Sequence, residues 1–303
     1  MSDSPWSDLR RPPLRTGPLR TMLLSPPWTS VEVVAATGST NADLAAAARA
    51  GAVGTGAVLV ADDQQQGRGR RDREWTAPPR SSVIVSVLLE PDSAAHHVPP
   101  ARWSWLPLLA GLAVTDALVR TAGLDARLKW PNDVLVDAPP GAPTPSGWHK
   151  VCGILAEIVP TPSGQGVVVG IGLNVSQQQP ELPGAGPGGL PAGSLLTLGA
   201  ATTDRETVLR AVLRSLAARC TAWLNAGGDQ RASGVAAAYR ERCTTIGRRV
   251  AVHLPGDDVV LGMAEGVDDD GCLLLRPDDG GAVRPLAAGD VVHVRPAEGV
   301  ADR

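Results

Sequence analysis

Apolar residues along this chain recur in two rhythms, one of strands and one of helices. The run VEVVAA from position 31 is a short β-type segment, and TGSTNADLAAAARA, 37–50, then opens a helix with Thr40 as its N-cap and Asp43 in its first turn. Residues 57–61 (AVLVA) and 82–89 (SVIVSVLL) are continuous apolar runs of strand length. Between 102 and 121 apolar side chains occupy most of the circumference, which predicts a long, largely buried helix with Pro107 confined to an early turn or a kink. In RLKWPNDVLVD, 127–137, Pro131 drives Trp130 toward extended backbone, Pro-Asn-Asp turns the chain and VLV resumes a strand. Further strands are expected at 151–159 and 166–175. The clearest helix, 203–225, repeats apolar residues from Val208 to Leu224, with a Thr203–Glu206 capping box before them and Gly227 beyond. A second helix runs to residue 242. From 247 to 296 the rhythm shortens to strands separated by Pro-Gly-Asp, Asp-Asp-Asp-Gly and Ala-Gly-Asp turns, the pattern of a small all-β domain.

Other segments carry no such rhythm. Residues 1–30 mix prolines, arginines and serines and are expected to form a disordered tail, within which Met22 is a second candidate start. Residues 138–147 (APPGAPTPSG) read as a mobile insertion between two strands, and 177–193 as a loop rich in proline and glycine. The expected fold class is α+β, with a mixed-sheet domain over 31–246, a small β domain over 247–297 and a tail over 298–303.

Composition narrows the function. A chain of 303 residues, 43 % of them hydrophobic, can build a real core, and a net charge of −3 argues against a general nucleic-acid coat. No uninterrupted apolar run reaches the 18 or so residues of a membrane span. The four cysteines form no CxxC pair and have no histidine cluster beside them, so neither zinc nor a disulfide framework is indicated, and a cytoplasmic location with reduced thiols is expected. Of the 28 basic residues only Lys129 and Lys150 are lysines, and Lys129 lies on a strand end beside a tight turn, placed to aim a compact ammonium into a pocket.

The chemistry concentrates in QQQGRGRRDREW, 64–75. Gly67 and Gly69 allow positive φ and close approach of backbone to a ligand, and Arg68, Arg70, Arg71 and Arg73 offer guanidinium forks for carboxylates and phosphates. Ser39, Thr40 and Asn41 either cap their helix or face a small polar ligand at its N-terminus. Gly170 and Gly172 mark either a bulge or a place where a ligand comes close.

Together, STN at 39–41, QxxGRGR at 64–70, KWPND at 129–133, GILAE at 153–157 and GIGLNV at 170–175 resemble the biotin protein ligases, in order and in spacing. GMAEGVDDDGCLLL and AAGDVVHVR resemble that family's small SH3-like domain, a β-barrel, so the likeness covers about residues 31–296. It implies that biotin and ATP, with Mg²⁺, give biotinyl-5'-AMP, and that the biotinyl group then passes to a lysine of a biotin carboxyl carrier protein or domain. By the same resemblance Lys129, Arg70 and Arg68 are catalytic. Ser39, Thr40, Asn41, Gln64, Gly67, Arg68, Gly69, Arg70, Lys129 and Gly153 bind biotin. Arg70, Arg73, Trp75, Lys129, Asn132 and Asn174 bind the nucleotide, and Asp133 helps hold magnesium. The loop is then expected to order over the ligand.

Two departures stand out. Asp72 replaces the loop's usual third glycine, and the proline-rich start cannot form the winged helix-turn-helix of repressor-type members, so DNA binding is not expected. A homodimer is compatible with the sequence. The rival readings are a lipoate or octanoate protein ligase and a non-enzymatic nucleic-acid-binding protein.

Overall fold

The first strand enters the fold already tethered by the chain before it. In the computed structural model, which describes residues 10–23, 26–93, 95–138, 147–185, 190–254, 258–287 and 289–293, a helix α1 spans Thr16–Leu23 inside the stretch expected to be disordered. That expectation is corrected for residues 10–23 and 26–30. Pro18 falls in the first turn, where no backbone donor is needed, and Leu14, Leu19 and Trp28 are buried. Trp28 Nε1 donates to Leu213 O at 3.2 Å.

The larger sheet is built from β1 (Ser30–Val34), β2 (Ala57–Ala61), β5 (Ser82–Leu89), β6 (Ala126–Lys129), β7 (Asp133–Asp137), β8 (Trp148–Thr161) and β9 (Gly164–Asn174). A two-stranded ribbon, β3 (Gly67–Arg68) and β4 (Glu74–Trp75), stands apart from it. The seven strands lie in the order β1-β2-β5-β9-β8-β7-β6; β1 and β2 are parallel and every other pair is antiparallel, a mixed sheet as expected. Helix α2, Thr40–Arg49, packs Leu44, Ala45 and Ala48 on one face against Leu59, Leu88 and Val168. Its N-cap is Ser39, not Thr40, the Ser39 side chain accepting from Ala42 N. The larger core lies on the other face, where α3 (Trp105–Ala117) packs against α4 (Arg205–Asn225) and α5 (Val235–Arg242). Helix α3 begins later than expected because Pro100–Arg102 forms a separate 3-10 turn, and α4 is capped by Asp204 in place of Thr203. Among the described residues the helical run Pro100–Ala122 meets the length and composition of a membrane span, although charged residues interrupt its apolar stretch. Yet 72 % of its most apolar window is buried inside the fold, as in a core helix. The insertion at 139–146 lies outside the described residues.

The small domain is an antiparallel sheet of β10 (Arg249–His253), β11 (Val259–Val267), β12 (Leu273–Pro277), β13 (Arg284–Leu286) and β14 (Asp290–His293), in the order β13-β12-β11-β10-β14. Two buried tryptophans hold it down: Trp105 Nε1 donates to Asp269 O at 2.8 Å and Trp130 Nε1 to Gly271 O at 3.1 Å. His293 Nε2 sits 3.3 Å from Thr245 Oγ1. Burial, with Lys129 and Arg248 nearby, pushes the His293 pKa down from 6.5 to about 4. The imidazole is therefore neutral when folded, whereas the unfolded chain takes up the proton first as pH falls. Stability is expected to decline between pH 6.5 and about 4. Melting curves across that range check this, and His293→Gln is expected to flatten the decline.

Candidate active site

Strand register places the site. Directly paired residues share a face, so Ile84, Gly172, Gly153, Asp133 and Lys129 form one row across β5, β9, β8, β7 and β6. The neighbouring row on the same face carries Ser86, Gly170 and Leu155. Three glycines thus clear a floor between hydroxyls at one end and charges at the other. A row of five strands spans four spacings, about 19 Å, room for a small acid and a nucleotide phosphate end to end. Above the floor lies a cavity of about 250 Å³.

At the polar end the α2 N-terminus meets the sheet. Thr40 N and Oγ1 both donate to Gln64 Oε1, at 2.9 and 3.1 Å. Ser86 Oγ lies 2.6 Å from Asn41 Oδ1 and 2.8 Å from Thr40 Oγ1, so its single proton serves one of them at a time. Asn41 Nδ2 donates to Glu157 Oε2 at 2.7 Å and to Leu155 O at 3.3 Å. Ser39, Thr40, Asn41 and Gln64 are thus brought together, with Ser86 and Glu157 joining them. Ser86 belongs to no motif; its only signal is a hydroxyl at the centre of SVIVSVLL.

The arginine loop is the β3–β4 ribbon and the 3-10 turn Arg70–Asp72 between its strands. Its glycines do not serve positive φ as expected: Gly69 has φ −107°, and the left-handed residue is Arg71, at φ 54° and ψ 46°. Position 72 therefore does not demand the glycine that Asp72 replaces. Gly67 is needed for space, since a Cβ there would meet Trp75 O at 2.3 Å and Gln64 Nε2 at 2.5 Å. Gly67 does not line the cavity, whereas Arg68, Gly69, Arg70 and Arg73 do. Arg70 Nη1 donates to Gly289 O of the small domain at 3.3 Å, and Arg73 Nε to Arg70 O at 3.1 Å. The Trp75 ring lies over the floor at Gly153 and Gly172, its buried Nε1 lacking a hydrogen-bond partner.

At the charged end both lysines of the chain converge on Asp133. Lys150 Nζ lies 2.6 Å from Oδ1 and Lys129 Nζ 3.7 Å from Oδ2, the carboxylate side chain being 12 % exposed. Burial pushes the Asp133 pKa up; the Coulombic pull of Lys150 and Lys129 outweighs it and holds the group below the usual carboxylate range. No group of three His, Cys, Asp or Glu side chains that could hold a metal by itself occurs among the described residues, and Asp133 stands as a lone carboxylate between two ammoniums. A magnesium ion held there would take its remaining ligands from water and the nucleotide's phosphates. Lys150 is the residue that motif reading left out, although the scarcity of lysine marked it.

The remaining walls come from elsewhere in the chain. Asn132 Nδ2 donates to Ile154 O at 3.0 Å, and Asn174 Nδ2 to Gly193 O at 3.0 Å while its Oδ1 accepts from Gln177 Nε2 at 2.9 Å. Both asparagines line the cavity, with amides engaged in holding its frame. Pro183, Gly184, Leu190 and Ala192 of the 177–193 loop form one side and Val291 and Val292 of β14 another. None of these six stands in a motif singled out for ligand contact.

A mixed sheet with a cleared floor, a cationic end and an arginine loop, followed by a small antiparallel domain, defines an acid-activating ligase of the biotin/lipoate type. Residues 34–174 match the biotin/lipoate A/B protein ligase family, and residues 245–294 match the biotin protein ligase C-terminal domain. The chain is 43 % identical over 293 residues to the biotin–acetyl-CoA-carboxylase ligase of Mycobacterium tuberculosis, a match covering 95 % of this chain and 98 % of that one. It is 33 % identical to the corresponding ligase of Paracoccus denitrificans, over 84 % of this chain and 98 % of that one. The fold is similar to that of the Aquifex aeolicus biotin protein ligase in complex with biotin and ATP, at a TM-score of 0.67 and 24 % identity, covering 89 % of this chain and 100 % of that one. This chain belongs to the biotin protein ligase family.

Proposed function

We propose that this chain joins biotin to ATP as biotinyl-5'-AMP and transfers the biotinyl group to a lysine of a biotin carboxyl carrier domain of an acyl-CoA or pyruvate carboxylase. The observation that carries this reading is the glycine floor running from the Thr40–Asn41–Gln64–Ser86 network to Lys129. A ureido head offers one carbonyl and two N–H groups, which the hydroxyls and amides of that network complement. The acid's carboxylate then points toward Lys129. In the first step a carboxylate oxygen attacks the α-phosphorus as the bond to the β,γ-pyrophosphate breaks, giving a mixed anhydride. In the second the acceptor amine attacks the acyl carbon, AMP leaves and the amine loses a proton.

Bringing two anions together costs about 4 kcal/mol per unit-charge pair at ~4 Å and an effective dielectric near 20. Lys129 supplies a fixed cation where they meet, Lys150 holds Asp133 so that Lys129 keeps its place, and Arg68 and Arg70 cover the carboxyl end. Arg73, Trp75, Asn132 and Asn174 face the nucleotide. We place the reaction in the cytoplasm, where the chain's four unpaired thiols stay reduced.

Pyrophosphate exchange into ATP, with biotin, lipoate and octanoate offered separately, tests the substrate. Exchange is expected with biotin alone. Exchange with octanoate and none with biotin would overturn the reading.

A further inference from the structure

The segment before the catalytic sheet is tied to the chain beside the active-site cavity by the Arg11 side chain. Arg11 Nη1 donates to Glu181 Oε1 at 3.0 Å and Nη2 to Glu181 Oε2 at 2.6 Å, a two-pronged pair, and Nη2 also donates to Ser176 O at 2.8 Å. The Arg11 side chain is 14 % exposed and that of Glu181 31 %. Glu181 closes the 3-10 turn Gln179–Glu181, where its carboxylate also accepts from Gln178 N at 2.7 Å. Two and three residues further on, Pro183 and Gly184 line the cavity.

Arg11 is itself presented by a fixed frame. Arg205, the first residue of α4, donates to Pro12 O at 2.7 Å and to Asp62 Oδ1 at 2.9 Å, and Leu14 N donates to the same Asp62 oxygen at 3.3 Å. Arg205 and Asp62 are both buried, so residues 12–14 are bonded to the end of β2 and the start of α4 at once. The loop's other end is bonded to β8, Lys150 N donating to Pro191 O at 2.8 Å and Gly193 N to Lys150 O at 2.9 Å. Glu181 and residues 191–193 are thus the two ends at which the wall is held, and Arg11 secures one of them.

We propose that Arg11 is a positioning residue for the nucleotide half of the active site, acting through Glu181 on the wall formed by Pro183 and Gly184. The assignment rests on reading the Asn174 side of the cavity as the ATP side. A charge-assisted, two-pronged pair fixes the direction of both partners, and a single ammonium cannot reproduce it. Glu181 is held below the usual carboxylate range, chiefly by the Arg11 hydrogen bonds, so the pair persists throughout the neutral range.

The test uses the full chain with Arg11→Ala, Arg11→Lys, and the exchanged pair Arg11→Glu with Glu181→Arg. In biotin-dependent pyrophosphate exchange, Arg11→Ala is expected to raise KM for ATP about tenfold, the equivalent of one lost charged pair, with kcat and KM for biotin within about twofold. Arg11→Lys recovers part of the loss, and the exchanged pair recovers most of it. Hydrogen exchange at the amides of Glu181, Leu182 and Gly184 in the ligand-free protein is expected to quicken in Arg11→Ala. This readout holds whatever the substrate, so a wild-type enzyme without biotin-dependent exchange refutes the functional reading and leaves the clamp to be judged by the amides. Unchanged amide exchange, or an unchanged KM for ATP in an active enzyme, overturns the proposal; so does an equal rise in both KM values.

Discussion

Lys129→Ala is expected to lower biotin-dependent pyrophosphate exchange by about a hundred- to a thousandfold, the cost of removing one fixed group aimed at developing charge. The carboxylate and the α-phosphate it attacks are both anionic, and Lys129 is the ammonium at the end of the cleared row. The fold should survive. Asp133 keeps Lys150 at 2.6 Å, so no carboxylate is stranded, and the melting temperature should change little. Lys129→Arg should rescue little, because a planar fork cannot occupy the place of a compact ammonium. An internal check is available, since Lys129 is one of the charges that depress His293. Losing it should move the His293 titration upward even as activity falls. Exchange near the wild-type rate in Lys129→Ala would remove the lysine from the chemistry.

Gly170→Ala should act at the opposite end, raising KM for biotin by about thirty- to a hundred-and-fiftyfold. A Cβ at position 170 would stand 2.2 Å from Asn41 Oδ1. That oxygen cannot swing away cheaply, because it accepts from Ser86 at 2.6 Å while Asn41 Nδ2 is held by Glu157 at 2.7 Å. Losing these bonds costs about 2–3 kcal/mol, which is the stated factor in affinity. Gly172→Ala provides the contrast. Its Cβ would stand 2.7 Å from the Trp75 ring, so its effect should fall on KM for ATP and spare biotin. Equal effects of the two substitutions on both substrates would show that the cavity is not divided as described.

The catalytic sheet and much of the site are legible in the sequence because their signals are local. KWPND concentrates three tasks in five residues. Lys129 faces the cavity, Trp130 anchors the small domain through Gly271 O, and Asp133 sits between the two lysines. What escaped reading is what depends on distant partners. Residues 10–23 and 26–30 look unstructured by composition, yet their order comes from burying Leu14, Leu19 and Trp28 against elements that include α4, much later in the chain. Ser86 is polar for the sake of Asn41, Asp133 is claimed by lysines on two different strands, and the loop glycines serve close packing instead of positive φ. A one-dimensional pattern carries none of these pairings.

The wall built by Val291 and Val292 has a consequence in time. Strand β9 ends at Asn174, so the floor and both ends of the site leave the ribosome well before β14, Asp290–His293, is made. A nascent chain can hold every motif residue of the floor and its two ends and still leave an acyl-adenylate open to water on that side. Translation that stops short of position 290 should therefore yield a protein that makes biotinyl-5'-AMP and loses it to hydrolysis. Such a fragment would spend ATP on biotin without retaining the activated acid.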